Sequence, residues 1–146
     1  MKTIIEVKNL SKHYKSGHKI LKVLDGIDLK ISQGEFISLM GPSGSGKSTF
    51  LNIIGTMDAP DAGDILIDDK NVTHMPENIL ARFRLRHIGF VFQFHYLLPE
   101  FSIEENVARP MMIDGMNRHE ALVKARDMLD YLGMSERMHH FPAEIS

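Results

Sequence analysis

The chain contains no cysteine and no tryptophan. Without cysteine there is no disulfide framework and no thiolate metal site. Charge of one sign is missing too: 17 Lys and Arg stand against 19 Asp and Glu, a formal net charge of −2. Bulk charge therefore gives no sign of a nucleic-acid surface, and no nucleic-acid partner is expected. No apolar run approaches the ~18 residues of a membrane span. The opening Met1-Lys2-Thr3-Ile4-Ile5-Glu6-Val7 sets Glu6 and Lys8 close behind its only apolar pair and does not read as a secretory leader. A cytoplasmic protein is expected. Of the 146 residues, 43% are hydrophobic and 25% charged, enough for one packed domain and too apolar for disorder.

One stretch organises what is there. Gly41-Pro42-Ser43-Gly44-Ser45-Gly46-Lys47-Ser48-Thr49 fits G-x-x-x-x-G-K-[ST], with Gly41, Gly46, Lys47 and Ser48 at the required places. Glycines let a backbone turn tightly and approach a ligand closely, and successive amides form an anion-binding concavity at the start of a helix. In that role Lys47 reaches the β- and γ-phosphates and the Ser48 hydroxyl holds Mg²⁺. The flanks suit it. Glu35-Phe36-Ile37-Ser38-Leu39-Met40 reads as a buried strand, and Phe50, Leu51, Ile53 and Ile54 follow at the spacing of a helix's buried face. A flexible Gly/Ser linker has no such apolar flanks.

Along the chain, residues 4–10 alternate as a half-exposed strand and residues 11–19 read as a polar loop. Strands are expected at 20–24 and 27–31, with Asp25-Gly26 as the turn between them, so an antiparallel element leads into a parallel one. Residues 58–63 signal a turn. The following Asp64-Ile65-Leu66-Ile67-Asp68-Asp69 is too short, and too soon after the first helix, for the carboxylate-ended strand that grips Mg²⁺; Asp68-Asp69-Lys70-Asn71 reads as a hairpin turn. Pro76-Glu77 opens a helix to about Arg86, and residues 88–92 read as a compact buried strand. Ser102 with Glu105 forms a capping box, and Pro110 is expected to kink or end the helix that follows. Asn117 with Glu120 caps another, with Leu122, Ala125, Leu129 and Leu132 on one face and Gly133 ending it.

Two further residues give the glycine loop its setting. Tyr14 lies about 27 residues before it, and Gln93 ends the strand expected at 88–92. With the loop, this trio resembles the nucleotide-binding domain of ABC transporters. The resemblance implies that Tyr14 stacks on adenine and that Gln93 contacts Mg²⁺ and the water attacking the γ-phosphate. Ile88-Gly89-Phe90-Val91-Phe92-Gln93-Phe94-His95-Tyr96-Leu97-Leu98-Pro99-Glu100-Phe101-Ser102, with Glu105-Asn106-Val107, is similar to the LolD-type ATPases of lipoprotein release, with MacB- and FtsE-type relatives. It implies an α/β P-loop NTPase fold with an N-terminal antiparallel β-subdomain. Residues 1–93 would form the nucleotide-binding core and 94–146 the start of a helical subdomain. It also implies MgATP, cofactor contacts from Tyr14, Gly41, Pro42, Ser43, Gly44, Ser45, Gly46, Lys47, Ser48 and Thr49, catalytic roles for Lys47 and Gln93, and Mg²⁺ contacts from Ser48 and Gln93. The implied partners are a second copy in the complete parent and a membrane permease docked on the stretch from Phe94 to Phe101, on the inner face of the membrane.

The family continues into a Leu-Ser-Gly-Gly-Gln signature, a carboxylate strand, a catalytic glutamate and a switch histidine. Here Pro142-Ala143-Glu144-Ile145-Ser146 matches the approach to that signature. The expectation is a truncated chain that binds MgATP without efficient turnover, with the strands ending at Met40 and Phe92 lacking their usual neighbours. The alternatives are a non-catalytic fragment docking on a permease and the ATPase of a MacB-type exporter. A P-loop kinase or GTPase is disfavoured, since no Asn-Lys-x-Asp guanine reader occurs. Residues 94–101 are expected to be a partly exposed apolar patch, because Pro99 and Glu100 break any core period. His13, His18, His95, His139 and His140 read as surface histidines, and Arg82, Arg84 and Arg86 as solvated. The methionines at 111, 112, 116, 128, 134 and 138 read as adaptable packing.

Overall fold

The computed structural model describes residues 2–17, 19–94 and 96–145. His18, His95 and Ser146, which figured in the expectations above, lie outside the described residues. The chain forms two compact units, Met1–Ile88 and Gly89–Ser146, so the division falls five residues before the boundary expected after Gln93.

The first unit is built on a four-stranded antiparallel sheet, order β2-β1-β3-β4, from β1 (Thr3–Ser16), β2 (Lys19–Ser32), β3 (Ala62–Ile67) and β4 (Lys70–Asn71). β1 runs six residues beyond the expected strand, through the segment read as a polar loop. Asp25-Gly26 is not a turn either. Leu10 pairs with Ile27 and Lys12 with Leu24, so Ser11 alone opposes both residues, a bulge inside one 14-residue strand. The Ser11 hydroxyl accepts the freed amide of Gly26 at 3.0 Å. A second irregularity at Asn9 (φ 47°) explains why the buried residues Val7 and Leu10 are three apart rather than two. The extra residue switches the side chains to the other face. β3 keeps strict alternation, burying Ile65 and Ile67. Asp68 and Asp69, both at positive φ, turn it into β4 as expected.

Two helices cover this sheet. α1 (Lys47–Ile54) buries Phe50 and Ile53, although Leu51, expected on the same face, is exposed. α2 (Glu77–His87) buries Phe83. Together with Val7, Leu10, Leu24, Ile65, Ile67 and Val72 these side chains make one core, each burial stabilising by about 1.5–3 kcal/mol. Arg84 is not solvated as expected: it is half-buried and donates to the carbonyl and hydroxyl of Thr56 at the end of α1.

The strands expected at 35–40 and 88–92 do not form. Both segments are apolar, but a strand needs a neighbour for its amides and carbonyls, and no described strand pairs with either. Their side chains consequently meet solvent: Phe36 is 97% and Met40 88% exposed. Apolar composition alone does not make a strand.

In the second unit α3 (Ile103–Ile113) and α4 (Arg118–Tyr131) form a helical hairpin. Ala108, Ala121 and Ala125, all fully buried, allow close approach, and Val107, Met111, Met116 and Leu122 fill around them. Both expected N-caps are present: Ser102 with Glu105 as a capping box, and Asn117 accepting from the Glu120 amide. Pro110 lies inside α3; the helix runs three residues further and ends in a reverse turn at Asp114-Gly115. Leu132, expected on the buried face of α4, is exposed. The first amides of α3 are closed by the tail, Ile103 donating to the His140 carbonyl and Glu104 to that of Met138, each at 2.9 Å.

Candidate phosphate-binding cleft

α1 starts from Gly46, whose φ of 88° lies in the left-handed region. A Cβ here would lie 2.9 Å from the Val23 carbonyl and 3.2 Å from Leu24 Cδ2, so any other residue would push the loop off β2. No side chain caps this helix and its first turn holds no acidic residue, which leaves its electropositive end for an anion. Lys47 folds back over the loop, donating to the carbonyls of Gly41 (2.8 Å) and Pro42 (2.7 Å) and to Ser45 Oγ (3.3 Å). Its ammonium is thereby fixed at the mouth of the loop. Ser48 and Thr49 follow in the first turn.

A cleft of about 330 Å³ is lined by Tyr14, Val23, Ser43, Gly44, Gly46, Lys47, Ser48 and Thr49. Residues far apart in sequence, Tyr14 on β1 and the glycine loop, thus face one space. Gly41, Pro42 and Ser45 line an adjoining, more apolar groove of about 410 Å³ with Leu24, Ile27, Leu39, Met40 and Phe50. Gln93 belongs to the second unit, where it is exposed. In that unit Phe94 and Tyr96 are about two-thirds exposed, Leu97 and Leu98 less so, and Phe101 is half-buried, the partly exposed apolar stretch expected.

Three neighbours of the cleft escaped the sequence reading. Val23 lines it, and Lys12 and Asp58 brace Tyr14. The Tyr14 hydroxyl donates to Asp58 Oδ2 at 2.9 Å, and Lys12 Nζ donates to Asp58 Oδ1 at 2.9 Å and to the Ala59 carbonyl at 2.6 Å. The same ammonium stands 5.3 Å from the Tyr14 ring centroid, within cation–π range. Burial pushes the Asp58 carboxyl up, but the hydrogen bonds from Lys12, Tyr14 and the Ala59 amide outweigh it and hold the pKa below the ordinary carboxylate value. For Lys12 burial likewise acts downward and is outweighed by Asp58, so its pKa is raised. Asp58 sits in a turn 44 residues from Tyr14, and nothing in the local pattern of either announces the pairing.

These residues fit a polyphosphate: a glycine loop with no room for a Cβ at Gly46, an uncapped helix start, one fixed ammonium and a hydroxyl in the first turn. The Ser48 hydroxyl also suits Mg²⁺, which keeps much of its shell as water and substrate phosphate.

Known proteins resemble the chain over nearly its whole length. The chain is 50% identical over 143 residues to the lipoprotein-releasing system ATP-binding protein LolD of Bacteroides fragilis, covering 98% of the chain and 64% of the relative. It is 45% identical over 146 residues to LolD of Geobacter metallireducens, covering 65% of that protein. Among solved structures, an ATP-binding cassette seen as a post-hydrolysis dimer bound to ADP and Pi matches with a TM-score of 0.89 at 37% identity, over 98% of this chain and 63% of that one. The chain thus spans somewhat under two thirds of the length of these relatives, and its fold is that of a partial α/β ABC ATPase core. The sequence pattern of the ABC transporter family matches residues 24–146, from Leu24 on β2 through the glycine loop and both helical segments, and by that match the chain belongs to the ABC transporter family.

Proposed function

We propose that the chain is the ATP-binding part of an ABC transporter ATPase, and that the transport it serves is the release of lipoproteins from the inner membrane. The cleft that joins Tyr14 to the glycine loop carries this reading. The loop amides and the α1 start bind the phosphates, Lys47 neutralises the β- and γ-phosphates, and Tyr14 offers a ring face to adenine. Ser48 would hold Mg²⁺, and Gln93 is the residue we assign to orienting the attacking water. Mg²⁺, when bound, supplies charge neutralisation on the phosphates. The lipoprotein assignment is supported by the LolD relatives, and a paired working form by the dimeric state of the solved cassette.

Among the described residues lining the cleft there is no carboxylate to act as base, so the chain binds MgATP and turns it over slowly. Calorimetric titration of the purified protein with MgATP tests this, with Lys47→Ala as control. The expected result is saturable binding lost in the variant, with little phosphate release. Turnover at the rate of a complete ABC domain, abolished by Lys47→Ala, would overturn the claim of slow hydrolysis; binding indifferent to Lys47 would overturn the site.

The stretch from Phe94 to Phe101 supports a second element of the proposal, docking on a membrane permease at the inner face of the membrane. Phe94, Tyr96, Leu97 and Leu98 are exposed close together in the chain, and exposed apolar patches mark partner sites. No helix among the described residues is long and apolar enough to cross a membrane. Co-purification with the permease should fail for Phe94→Asp and Leu97→Asp; equal recovery of those variants would refute the docking surface.

A further inference from the structure

We propose that Asp58 is a positioning residue for the nucleotide base: it holds the Tyr14 ring, with Lys12, in the attitude that receives a purine. The proposal rests on the reading of Tyr14 as the base platform and adds what fixes that platform. A tyrosine side chain turns about two angles. Here the hydroxyl is tied to Asp58 Oδ2 at 2.9 Å and the ring has the Lys12 ammonium 5.3 Å from its centroid, so both turns are stopped. Lys12 is in turn held by Asp58 Oδ1 and the Ala59 carbonyl, and its side chain is only 12% exposed.

Asp58 is well placed for this because of where its turn begins. α1 ends at Ile54, and the chain leaving it crosses directly to β1, where Asp61 accepts the His13 amide at 2.6 Å and donates its own amide to the Ser11 carbonyl at 2.9 Å. The turn from Asp58 to Asp61 therefore grips the strand on both sides of Lys12. One short helix thus has the phosphate cradle at its start and, just past its end, the residues that hold the base platform. The distance between the two ends of the nucleotide is built into α1. An aromatic platform held in advance binds without the ordering cost that a free side chain meets on association.

The test compares two ligands of the purified protein, MgATP and magnesium tripolyphosphate, which has the phosphates and no base. The quantity read is the ratio of the two dissociation constants. Tyr14→Ala should reduce the preference for ATP roughly 5- to 100-fold, the range for loss of one base–aromatic stack. Tyr14→Phe keeps the ring and removes only the tether, and Asp58→Ala removes it from the other side. Each is expected to reduce the preference about 3- to 10-fold, the range for one hydrogen bond, with tripolyphosphate affinity unchanged. The double variant should lose no more than either single one, and Asp58→Asn, which still accepts from the hydroxyl, should retain most of the preference. If Tyr14→Phe and Asp58→Ala keep the wild-type ratio while Tyr14→Ala loses it, the platform stands and the tether is refuted. Equal weakening of both ligands by Asp58→Ala refutes a positioning role in favour of a merely structural one. If Tyr14→Ala itself leaves the ratio unchanged, the base-platform reading fails, and the tether with it.

Discussion

Arg84 of α2 donates through one guanidinium nitrogen to both the carbonyl and the hydroxyl of Thr56, two residues past the end of α1. Thr56 is 6% exposed and stands at φ 61°, a left-handed conformation that a β-branched residue adopts at a cost of about 1–2 kcal/mol. The turn is nevertheless well bonded, with the Thr56 amide on the Ile53 carbonyl at 3.0 Å and the Met57 amide on that of Asn52 at 2.8 Å. The guanidinium then meets the electronegative end of the phosphate-loop helix.

Arg84→Met should therefore destabilise the first unit. The substitution keeps most of the apolar stem and leaves the Thr56 carbonyl half-buried without its donor, a loss of about 1–3 kcal/mol. Arg82→Met, one residue pair back on an exposed position of α2, should change stability by less than about 0.5 kcal/mol. Urea denaturation of the two variants makes the comparison, and equal midpoints would refute the role assigned to Arg84.

Gly46→Ala should abolish MgATP binding while the protein still folds. The added methyl would stand 2.9 Å from the Val23 carbonyl, and alanine at φ 88° is strained by about 1–3 kcal/mol. The loop can relieve this only by moving off β2, which carries the amides away from the phosphates. Gly44→Ala is the control: its φ of 80° brings the same backbone strain, but nothing lies within 4 Å of its Cβ. It should weaken binding less than Gly46→Ala, and the reverse order in titration calorimetry would contradict the packing argument.

The residues read most easily in the sequence were those whose role is local. The glycine loop, the Asp68-Asp69 turn and the caps at Ser102 and Asn117 each depend on backbone geometry within four residues, and each is found where expected. What failed was the inference from apolar composition to pairing. Residues 35–40 and 88–92 have strand-like sequences, but a ladder needs a second strand, and no local pattern supplies one. Asp25-Gly26 failed for a related reason. Its turn signal is a demand for positive φ at Gly26 (66°), which a bulge satisfies as well as a turn does. At the cleft, Tyr14 and Lys47 were legible through motif and resemblance. Asp58 and Lys12 were not, because the contacts of Asp58 with Tyr14 and with Lys12 span 44 and 46 residues of chain; away from the cleft, the contact of Arg84 with Thr56 spans 28.

Glu104 gives the second unit a dependence on pH that one variant isolates. Its side chain is only 10% exposed and pairs with Arg126 Nε at 2.6 Å and His139 Nδ1 at 3.1 Å. The hydrogen bond from Arg126 outweighs burial and, with the charges of Arg126 and His139, sets the carboxyl below its ordinary value near 4.5. A carboxylate whose pKa is depressed by folding stabilises above the unfolded value and loses that contribution as pH falls through the folded one. Glu104→Gln should thus cost about 1–2 kcal/mol at pH 7, and the difference from wild type should shrink only below pH 4.5. Thermal unfolding across pH 3–7 reads this directly. A constant difference down to the lowest pH would mean that Glu104 acts by packing and not by charge.

Asn106 holds the exposed apolar stretch to α3 and should control how well that stretch presents its side chains. The Leu98 amide requires an acceptor, and Oδ1 of Asn106 meets it at 2.8 Å. That orientation turns Nδ2 toward the carbonyls of Leu98, Phe101 and Ser102, each at 3.0 Å. One side chain thereby closes the loop that Phe94, Tyr96 and Leu97 ride on, and Phe101 is clasped again by the Arg109 guanidinium 3.6 Å from its ring centroid. Asn106→Ala removes every one of these bonds. Asn106→Asp keeps the acceptor for Leu98 and replaces the donor with an oxygen facing three carbonyls. Both should speed amide exchange at Leu98 and Phe101, by about tenfold for a loss near 1.4 kcal/mol. Asn106→Asp should be no better than Asn106→Ala, because repulsion offsets the bond it keeps. Permease recovery should fall in step with the exchange rate, although neither variant alters an exposed apolar side chain. Normal recovery from a loop shown by exchange to be loosened would mean that the partner orders the stretch itself, and that Asn106 serves only the free protein.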